Sequence, residues 1–350
     1  MCSSDLIRID GAAGEGGGQV LRTALGLSLV TGRPFQIDAI RAGRARPGLL
    51  RQHLACVRAA QAIGSATVEG DSLGSRALTF RPGRLVPGDH TIDVGSAGSA
   101  LLVLQAVLPA LLVAPAPIRL TIGGGTHNPA APPWDFIAAA FLPRLRRMGA
   151  RIDARLVRHG FYPAGGGRVV IDVSPAPLTP LVEAERGPVL ARRGRAILSG
   201  IGDKVGHREL RVLHERLGIE WSALKVEEVP HPVGPGNALV LEVESQGGTE
   251  VFTAFGERGR TAEVVAAGLA EEVSAWDRTG VPVGPHLADQ LLLPVALAGG
   301  RFRTAAPTLH TLTNIDVIQA FFPGRFVVER GDAVEIRSTG RWGEGFPVVA

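Results

Sequence analysis

The sequence predicts an α+β fold made of three copies of one unit and one smaller inserted domain. Glycine-containing turns lead into apolar helices at three places: GEGGGQVLRTALGLSLV from residue 14, GSAGSALLVLQAVLPALL from residue 95 and VGPHLADQLLLPVALAGG from residue 283. A β-type run and a second helical pattern follow each of these turns. A stretch with a higher density of charged residues separates the second copy from the third, which is typical of an inserted domain.

The remaining elements of each copy follow the same order. The β-type runs are PFQIDAI, PIRLTIGG and RFRTAA, and the second helices are predicted at PGLLRQHLACVRAAQAIG, PPWDFIAAAFLPRLRRMGA and TNIDVIQAFF. Proline near the start and glycine after the end mark the limits of the first two of these helices. The strands ATVEG, RVVIDVS and FVVERGDAVEIR complete the units, so each unit is expected to be a sheet with two helices on one face.

The inserted domain is predicted over residues 185–279, where charged residues are denser. Its strands are expected at RAILSGI, ALVLEVES and TEVFTAFG, and its amphipathic helices at HRELRVLHERLG and TAEVVAAGLAEEVSAW. The larger domain then comprises residues 1–184 and 280–350, because an insertion is tolerated where chain ends are exposed.

Composition narrows the function classes. The 350 residues carry a net charge of +4, which is compatible with an anionic partner such as nucleic acid. Cys2 and Cys56 lack CxxC partners, which argues against a zinc knuckle or a disulfide framework. The apolar run over residues 100–118 is interrupted by Gln105 and Pro109, so a buried helix is favoured over a membrane span. The first ten residues contain no apolar signal core, so a cytoplasmic location is expected.

The basic residues are almost all arginine. Lys204 and Lys225 are the only lysines, and neither lies in a GxxxxGK[ST] phosphate loop or in the KxDG signature of lysine-adenylating ligases. Lysine is therefore a poor candidate for nucleotide chemistry in this chain.

The opening stretch GEGGGQVLR combines four glycines, preceded closely by Gly11, with Glu15 and Arg22. Glycines let a backbone approach a ligand closely, and a helix N-terminus favours anions. A carboxylate at this place can hold Mg²⁺ or Mn²⁺ against phosphates. A tight turn with a capping acid explains the same residues, and the spacing alone does not decide between the two interpretations.

The segment IRAGRARPGLLRQH, residues 40–53, concentrates four arginines around a turn: Arg41, Arg44, Arg46 and Arg51. Guanidinium groups bind phosphates through paired hydrogen bonds, and several together repel one another unless anions or acids lie near. The segment favours a phosphate-rich substrate, with a solvated basic loop as the alternative.

Polar residues at the other turns suggest a nucleotide pocket. In GGTHNPAAPPWDF the two prolines before a helix can form a rigid wall for a base, and His127 is interpreted as a surface histidine. Asp289 and Gln290 are expected at the start of a helix, and Gln105 lies on the corresponding helix of the preceding unit; such groups can read an adenine edge or ribose hydroxyls. A lone His310 before Asn314 is usually structural, but if a covalent nucleotide adduct forms, the scarcity of lysine leaves histidine as the remaining nitrogen nucleophile.

Six motifs, in order along almost the whole chain, resemble the RNA 3′-terminal phosphate cyclase family: DGAAGEGGGQVLR, IRAGRARPGLLRQHL, DVGSAGSALLVLQ, GGTHNPAAPP, VGPHLADQLLLP and PTLHTLTN. The resemblance implies three βαβαββ-type units plus one inserted α/β domain. It also implies an ATP-dependent enzyme that converts an RNA 3′-terminal phosphate to a 2′,3′-cyclic phosphodiester.

The resemblance further implies a mechanism and a set of site residues. The histidine of the PxxHxLTN motif, His310, would take AMP from ATP and pass it to the RNA 3′-phosphate, after which the 2′-hydroxyl displaces AMP. Glu15 matches a metal- or phosphate-site acid for Mg²⁺ or Mn²⁺. The implied phosphate- or RNA-binding residues are Arg22, Arg41, Arg44, Gln52 and His53. The implied ATP-binding residues are Gln105, Pro132, Pro133, His286, Leu287, Ala288, Asp289 and Gln290.

Two rival functions stay open on the sequence. Cyclase-like proteins of ribosome assembly bind RNA without catalysis, and the presence of His310 argues against that interpretation. An enolpyruvate transferase of related repeated fold would need a lysine-rich anion site, whereas both lysines lie in the predicted insert. The expected partners are ATP and RNA with a 3′-terminal phosphate, with no membrane. The sequence leaves the oligomeric state open, a homodimer included.

Overall fold

The computed structural model describes residues 6–341. Within this range the chain forms four mixed sheets of four strands each, with helices packed against them. The α+β class predicted from the sequence is confirmed. The first sheet has the order β1-β2-β4-β3, with β1 parallel to β2 and β4 antiparallel to both of its neighbours. Its unit contains β1 (Ile7–Asp10), α1 (Gly18–Thr31), β2 (Phe35–Asp38), α2 (Arg51–Ile63), β3 (Thr67–Glu69) and β4 (Leu78–Arg81).

The second unit repeats this order of elements. Its sheet is β5-β6-β8-β7, again with the first pair parallel and the other pairs antiparallel. The second helix of this unit is divided by a π-helical turn over Ile137–Phe141. The elements are β5 (Gly88–Asp93), α3 (Ala100–Leu112), β6 (Ile118–Gly124), α4 (Trp134–Phe136), α5 (Leu142–Arg147), β7 (Arg151–Arg158) and β8 (Gly167–Ser174).

After β9 (Leu181–Glu183) the chain enters a separate sheet, β11-β10-β12-β13, which we call the fourth sheet because its topology differs from that of the other three. Helices α6 and α7 bury a separate apolar cluster against it, centred on Leu239, Leu241 and Leu213. The elements are β10 (Val189–Ser199), α6 (Lys204–Leu217), a 3-10 turn (Trp221–Ala223), β11 (Leu224–Glu228), β12 (Gly236–Ser245), β13 (Gly248–Phe255) and α7 (Ala262–Thr279). These elements fall within the predicted insert; its limits, 185 and 279, stay a prediction.

The chain then returns to β9 and completes a third sheet of the first kind. The order is β15-β16-β14-β9, with β9 parallel to β14 and the other pairs antiparallel. The elements are α8 (Pro285–Ala298), β14 (Gly300–Thr304), α9 (Leu309–Phe321), β15 (Phe326–Arg330) and β16 (Val334–Ser338). Three sheets thus share one strand order and one set of directions, which supports three βαβαββ units.

Helix α1 lies in the largest apolar cluster, packed between α3 and α9. A Cβ atom on Gly26 would lie 3.0 Å from the Ala106 carbonyl oxygen, so glycine permits the close approach of α1 and α3. Because residues three and four apart share a helix face, the polar side chains of Gln19, Arg22 and Thr23 point the same way from a helix that is otherwise almost wholly apolar.

Three local predictions were wrong. FVVERGDAVEIR is a hairpin of β15 and β16 and not one strand, because the chain turns at Gly331. Helix α8 begins at Pro285, so Asp289 and Gln290 lie one turn inside it. His127 is buried, 1% exposed, because its two ring nitrogens are satisfied by Thr126 Oγ1 and Asp135 Oδ2, each at 2.8 Å.

The apolar run that begins at residue 100 is the buried helix α3, as predicted. Over residues 6–341 the structure contains no helix with the length and apolar character needed to cross a membrane.

Candidate functional site

A cleft of about 800 Å³ opens at the N-terminal ends of α1, α8 and α9 and is closed on one side by α7 and β13. Thirteen of the fifteen predicted site residues line this one cleft: Glu15, Arg22, Arg41, Arg44, Gln52, His53, Gln105, Pro132, Pro133, His286, Asp289, Gln290 and His310. Leu287 and Ala288 do not line the cleft; they are 0% and 1% exposed and pack in the core, because their side chains point from α8 to the opposite side.

His310 is the second residue of α9, just after the helix cap formed by Thr308, whose hydroxyl accepts a hydrogen bond from Thr311 N at 3.1 Å. Its side chain is 56% exposed toward the cleft. The Nε2 atom lies 3.7 Å from Glu15 Oε1, and the Nδ1 atom lies 3.0 Å from Gln19 Oε1. One ring nitrogen therefore faces the cleft, and the other is held against α1.

Glu15 is placed by the glycine turn before α1. Its carboxylate pairs with Arg44, and its backbone N–H donates to Thr313 Oγ1 at 2.9 Å. Gly14 has a φ of +59°, and a Cβ there would lie 2.2 Å from that hydroxyl. A Cβ on Gly17 would lie 2.1 Å from Glu15 Oε2. The glycines thus let the turn close onto α9 and leave room for the acid beside His310.

Two arginines of the cleft carry positive charge without an acidic partner. Arg22 donates from Nε to Gln105 Oε1 at 2.8 Å, and burial lowers its pKa. Arg41 donates to the carbonyl oxygens of Arg46 and Gly48, and burial lowers its pKa as well. Across residues 6–341 neither guanidinium forms an ion pair with a carboxylate. A partly buried guanidinium without a carboxylate partner is stabilised by a bound anion.

His53 lies opposite, in the first turn of α2. Its Nδ1 accepts a hydrogen bond from Leu50 N at 3.0 Å, so the neutral ring carries its proton on Nε2. Burial, together with the charges of Arg22 and Arg41, lowers the pKa of His53 to about 3. A Cβ on Gly18 would lie 2.4 Å from His53 Nε2, so the ring edge lies directly against the glycine turn. His53 is a neutral hydrogen-bond donor in this cleft.

A chain of side-chain amides crosses the floor of the cleft. Gln105 donates to Gln290 Oε1 at 3.1 Å, and Gln290 donates to Asp289 Oδ2 at 3.2 Å. Asn314 and Gln19 donate to the other oxygen, Oδ1, of the same carboxylate. Burial raises the pKa of Asp289, and the hydrogen bonds from Gln19 and Asn314 oppose that shift.

Gln19 and Asn314 were missed by the sequence analysis as site residues. A usable signal was present in the sequence, since Gln19 precedes Arg22 by three residues and so shares a face with it on an otherwise apolar helix. Nothing in the local sequence indicates that its partners lie near residues 289 and 310.

The other end of the cleft is lined mostly by apolar groups and is shared with the fourth sheet. Pro132, Pro133 and Phe136 form one side, and the opposite side comes from β13 and α7, which the sequence analysis did not connect with the site. His286 lies at the rim, 77% exposed, with Nε2 3.6 Å from Glu272 Oε1. Burial raises the pKa of the Glu272 carboxyl, and the nearby His286 opposes the shift.

Asp135 anchors the proline wall. Arg195, from β10, donates to Asp135 Oδ1, and His127 contacts its other oxygen at 2.8 Å. Burial alone would raise the pKa of Asp135, but the hydrogen bond and charge of His127, with the charge of Arg195, lower it to about 2. The wall beside Pro133 is thus tied to the fourth sheet through a buried ion pair.

No set of three or more His, Cys, Asp and Glu side chains in the described part of the chain gathers to hold a metal ion. Glu15 is the carboxylate beside His310 and the arginines. A divalent ion at this place therefore fits only if phosphate oxygens and water supply most of its ligands, which is common for Mg²⁺.

Comparison with known families agrees with this architecture. The family model described as RNA 3′-terminal phosphate cyclase matches residues 13–328, which include the glycine turn, the arginine segment, the fourth sheet and α9. The match therefore spans every element that lines the cleft. The chain belongs to the RNA 3′-terminal phosphate cyclase family.

Proposed function

We propose that this protein uses ATP to convert the 3′-terminal phosphate of RNA to a 2′,3′-cyclic phosphodiester, through an AMP adduct on His310. One observation supports this most: the exposed Nε2 of His310 lies at the end of a cleft that also holds Glu15 and three arginines. A histidine in a merely structural role would be buried and hydrogen-bonded at both nitrogens, as His127 is.

The distribution of lysine supports the same proposal. A nitrogen nucleophile that forms a nucleotide adduct must be uncharged when it attacks phosphorus. Lys204, in α6, and Lys225, in β11, do not line the cleft, whereas His310 does. A neutral imidazole has one ring nitrogen that carries a lone pair and no proton, so a histidine nucleophile needs no separate base to remove a proton before it attacks.

The first chemical step is displacement at the α-phosphorus of ATP. His310 Nε2 donates its lone pair to phosphorus, the bond between phosphorus and the bridging oxygen breaks, and pyrophosphate leaves with that electron pair. Arg22, Arg41 and Arg44 neutralise charge on the phosphates, which is the main requirement of such a displacement. Glu15 would hold Mg²⁺ or Mn²⁺, which supplies further positive charge at the phosphates.

The second and third steps concern the RNA end. An oxygen of the RNA 3′-phosphate attacks the adduct phosphorus and the bond to Nε2 breaks, which joins AMP to the RNA end through a pyrophosphate. The neighbouring 2′-hydroxyl then attacks the terminal RNA phosphorus and AMP leaves. His53, as a neutral donor, and Gln52 are suited to bind the incoming phosphate. The 2′-hydroxyl is already beside its target, so proximity lowers the barrier.

The adenine of ATP fits the apolar end of the cleft. Pro132 and Pro133 offer a flat rigid wall, and the exposed ring of His286 can cover the opposite face of a base. Gln105 and Gln290 present amide groups between this end and the arginines, where the ribose hydroxyls would lie. Asp289 contributes through the amide chain that it anchors.

The test is transfer of label from ATP carrying ³²P at the α-phosphate, with Mg²⁺ or Mn²⁺. We expect acid-labile label on the wild-type chain and none on His310→Ala; ATP labelled at the γ-phosphate should leave none on either. Adding RNA with a 3′-phosphate should discharge the label, and RNA with a 3′-hydroxyl should not. Absence of label from a folded wild-type chain that still binds RNA would overturn the proposal and favour a non-catalytic RNA-binding role.

A further inference from the structure

A chain of hydrogen bonds on the cleft floor runs from Arg22 to Asp289, and these two residues determine how each side-chain amide between them is oriented. Arg22 can only donate, so Gln105 presents its oxygen to Arg22 and its NH₂ to Gln290. Gln290 therefore turns its oxygen to Gln105 and its NH₂ to Asp289. The hydrogen bonds all run in one direction, from the guanidinium to the carboxylate.

Asn314 also donates a hydrogen bond to the Asp289 carboxylate, at the oxygen Oδ1 that Gln290 does not contact. Its NH₂ group lies 3.3 Å from the backbone carbonyl oxygen of Asp289 and 3.0 Å from Oδ1 of the same residue. A carbonyl oxygen can only accept, so the NH₂ of Asn314 must face Asp289. Burial raises the pKa of Asp289, but a proton on either carboxyl oxygen would face an N–H donor, from Gln290 at Oδ2 or from Asn314 at Oδ1. We therefore assign the ionised form to Asp289 on this geometry.

An ionised Asp289 determines how Gln19 is turned. The NH₂ of Gln19 must face Asp289 Oδ1, because two acceptor oxygens in contact would repel each other. The oxygen of Gln19 then faces His310 Nδ1 at 3.0 Å. This oxygen can only accept, so the proton of the neutral ring belongs on Nδ1 and the lone pair on Nε2.

We propose that Gln19 is a positioning residue that holds His310 in the Nδ1–H tautomer, with its Nε2 lone pair directed into the cleft. The role of this tautomer in catalysis rests on the proposed function; the tautomer itself is a property of the protein without ATP. Gln19 acts through His310 and does not contact the reacting phosphorus in this arrangement.

This tautomer balances both transfer steps without moving a proton. When Nε2 bonds to phosphorus, the ring keeps its Nδ1 proton and becomes an imidazolium, and the Gln19 oxygen accepts a stronger, charge-assisted hydrogen bond. The negative charge of Asp289, one amide away, stabilises that positive ring. When the bond to phosphorus breaks, its electron pair returns to Nε2, and the ring is again neutral with the proton on Nδ1.

The direct test is ¹⁵N NMR of the full chain labelled in its nine histidines. Couplings between ring nitrogens and ring hydrogens distinguish the two tautomers, and His310→Ala assigns the signal of His310. We expect the Nδ1–H form at His310 and the Nε2–H form at His53 in the wild type. Gln19→Leu should convert His310 to a mixture of tautomers. The Nε2–H form at His310 in the wild type would overturn the inference.

Kinetics provide the second readout. Gln19→Leu should slow labelling at saturating ATP by roughly 10- to 100-fold, because the lone pair is no longer directed, while the half-saturating ATP concentration changes little. Gln19→Glu keeps an oxygen beside Nδ1 and adds negative charge, so it should restore part of the rate and move the acidic limb of the pH profile to higher pH.

Gln36→Leu is the matched control, since Gln36 also donates to a carboxylate, Asp38, at 3.1 Å, but lies on β2 and does not line the cleft. It should label at the wild-type rate. An unchanged rate and an unchanged tautomer in Gln19→Leu would sink the positioning role. The expected tautomer in a wild type that takes no label would instead overturn the proposed function and leave the tautomer assignment standing.

Discussion

Two units of the molecule each present a histidine to the cleft from the first turn of their second helix, and the Nδ1 atoms of the two rings have opposite hydrogen-bond partners. His53, in α2, is buried and its Nδ1 accepts from the backbone N–H of Leu50. His310, in α9, is exposed and its Nδ1 faces the oxygen of Gln19. The partner of Nδ1 is a donor in one unit and an acceptor in the other, so Nε2 is a donor at His53, whereas at His310 it is the nitrogen that we propose as the nucleophile.

The same element, the second helix of a unit, thus presents histidine rings whose Nδ1 atoms have opposite hydrogen-bond partners. Both helices begin next to the glycine turn before α1, and both rings reach toward its residues. The chemical role is decided by a single neighbour on the far side of the ring.

The same substitution should have unequal effects at the two histidines. Glutamine can replace a ring N–H donor with its amide N–H but cannot replace a nucleophilic nitrogen. We therefore expect His310→Gln to lower labelling from α-³²P-ATP by at least about 1,000-fold, and His53→Gln by no more than about 10-fold. Circular dichroism checks the fold of both variants. Equal loss in two folded variants would contradict the donor role of His53.

Gly18→Ala should lower activity because it displaces two side chains of the cleft, His53 and Arg22. Its Cβ would lie 2.4 Å from His53 Nε2 and 2.9 Å from Arg22 Nη1, so both side chains must shift. A displacement of this size costs on the order of 100-fold in kcat/KM, while alanine in the first turn of α1 leaves the fold intact. Gly202→Ala is the control, because no heavy atom lies within 4 Å of a Cβ there. Wild-type kcat/KM in Gly18→Ala would show that the cleft has more room than the structure gives it.

Stability should depend on pH through His53. The unfolded ring binds a proton below about pH 6.5, and the folded ring does so only near its lowered pKa of about 3. The unfolded chain therefore binds more protons in this window, and the free energy of unfolding falls as the pH falls. Urea titrations of the wild type and His53→Gln between pH 6.5 and 4 should differ in slope by about 1.4 kcal/mol per pH unit. Parallel curves would mean that His53 is protonated in the folded chain.

Substitution of His286, the third histidine of the cleft, should have the smallest effect on activity. His286 is 77% exposed and its contact with Glu272, at 3.6 Å, is a surface pair that stabilises little. His286→Phe keeps a flat ring over the base, so the KM for ATP should stay within about 3-fold, whereas His286→Ala should raise it by about 10-fold. Equal KM values for the two variants would remove His286 from base binding.

Some residues of the candidate site could be predicted from the sequence, and others could not. Glu15, Arg22, Arg41 and His310 were selected as site residues from their motifs, and all four line one cleft. The sequence did not connect Gln19 with Asp289, or the proline wall with Arg195, because these pairs are 270 and 60 residues apart. Leu287 and Ala288 were included because a motif names consecutive residues, whereas a helix turns neighbouring side chains to different sides.

By itself the sequence determined the α+β class, the order of elements in the units and the residue types available for chemistry. Helical periodicity, turn glycines and the scarcity of lysine are local properties, and they are readable without contacts. Only the tertiary structure decided which nitrogen of each histidine is free, that the fourth sheet closes the cleft, and that His127 is buried. The physical reason is that protonation state, hydrogen-bond direction and burial depend on neighbours brought together by folding from distant parts of the chain.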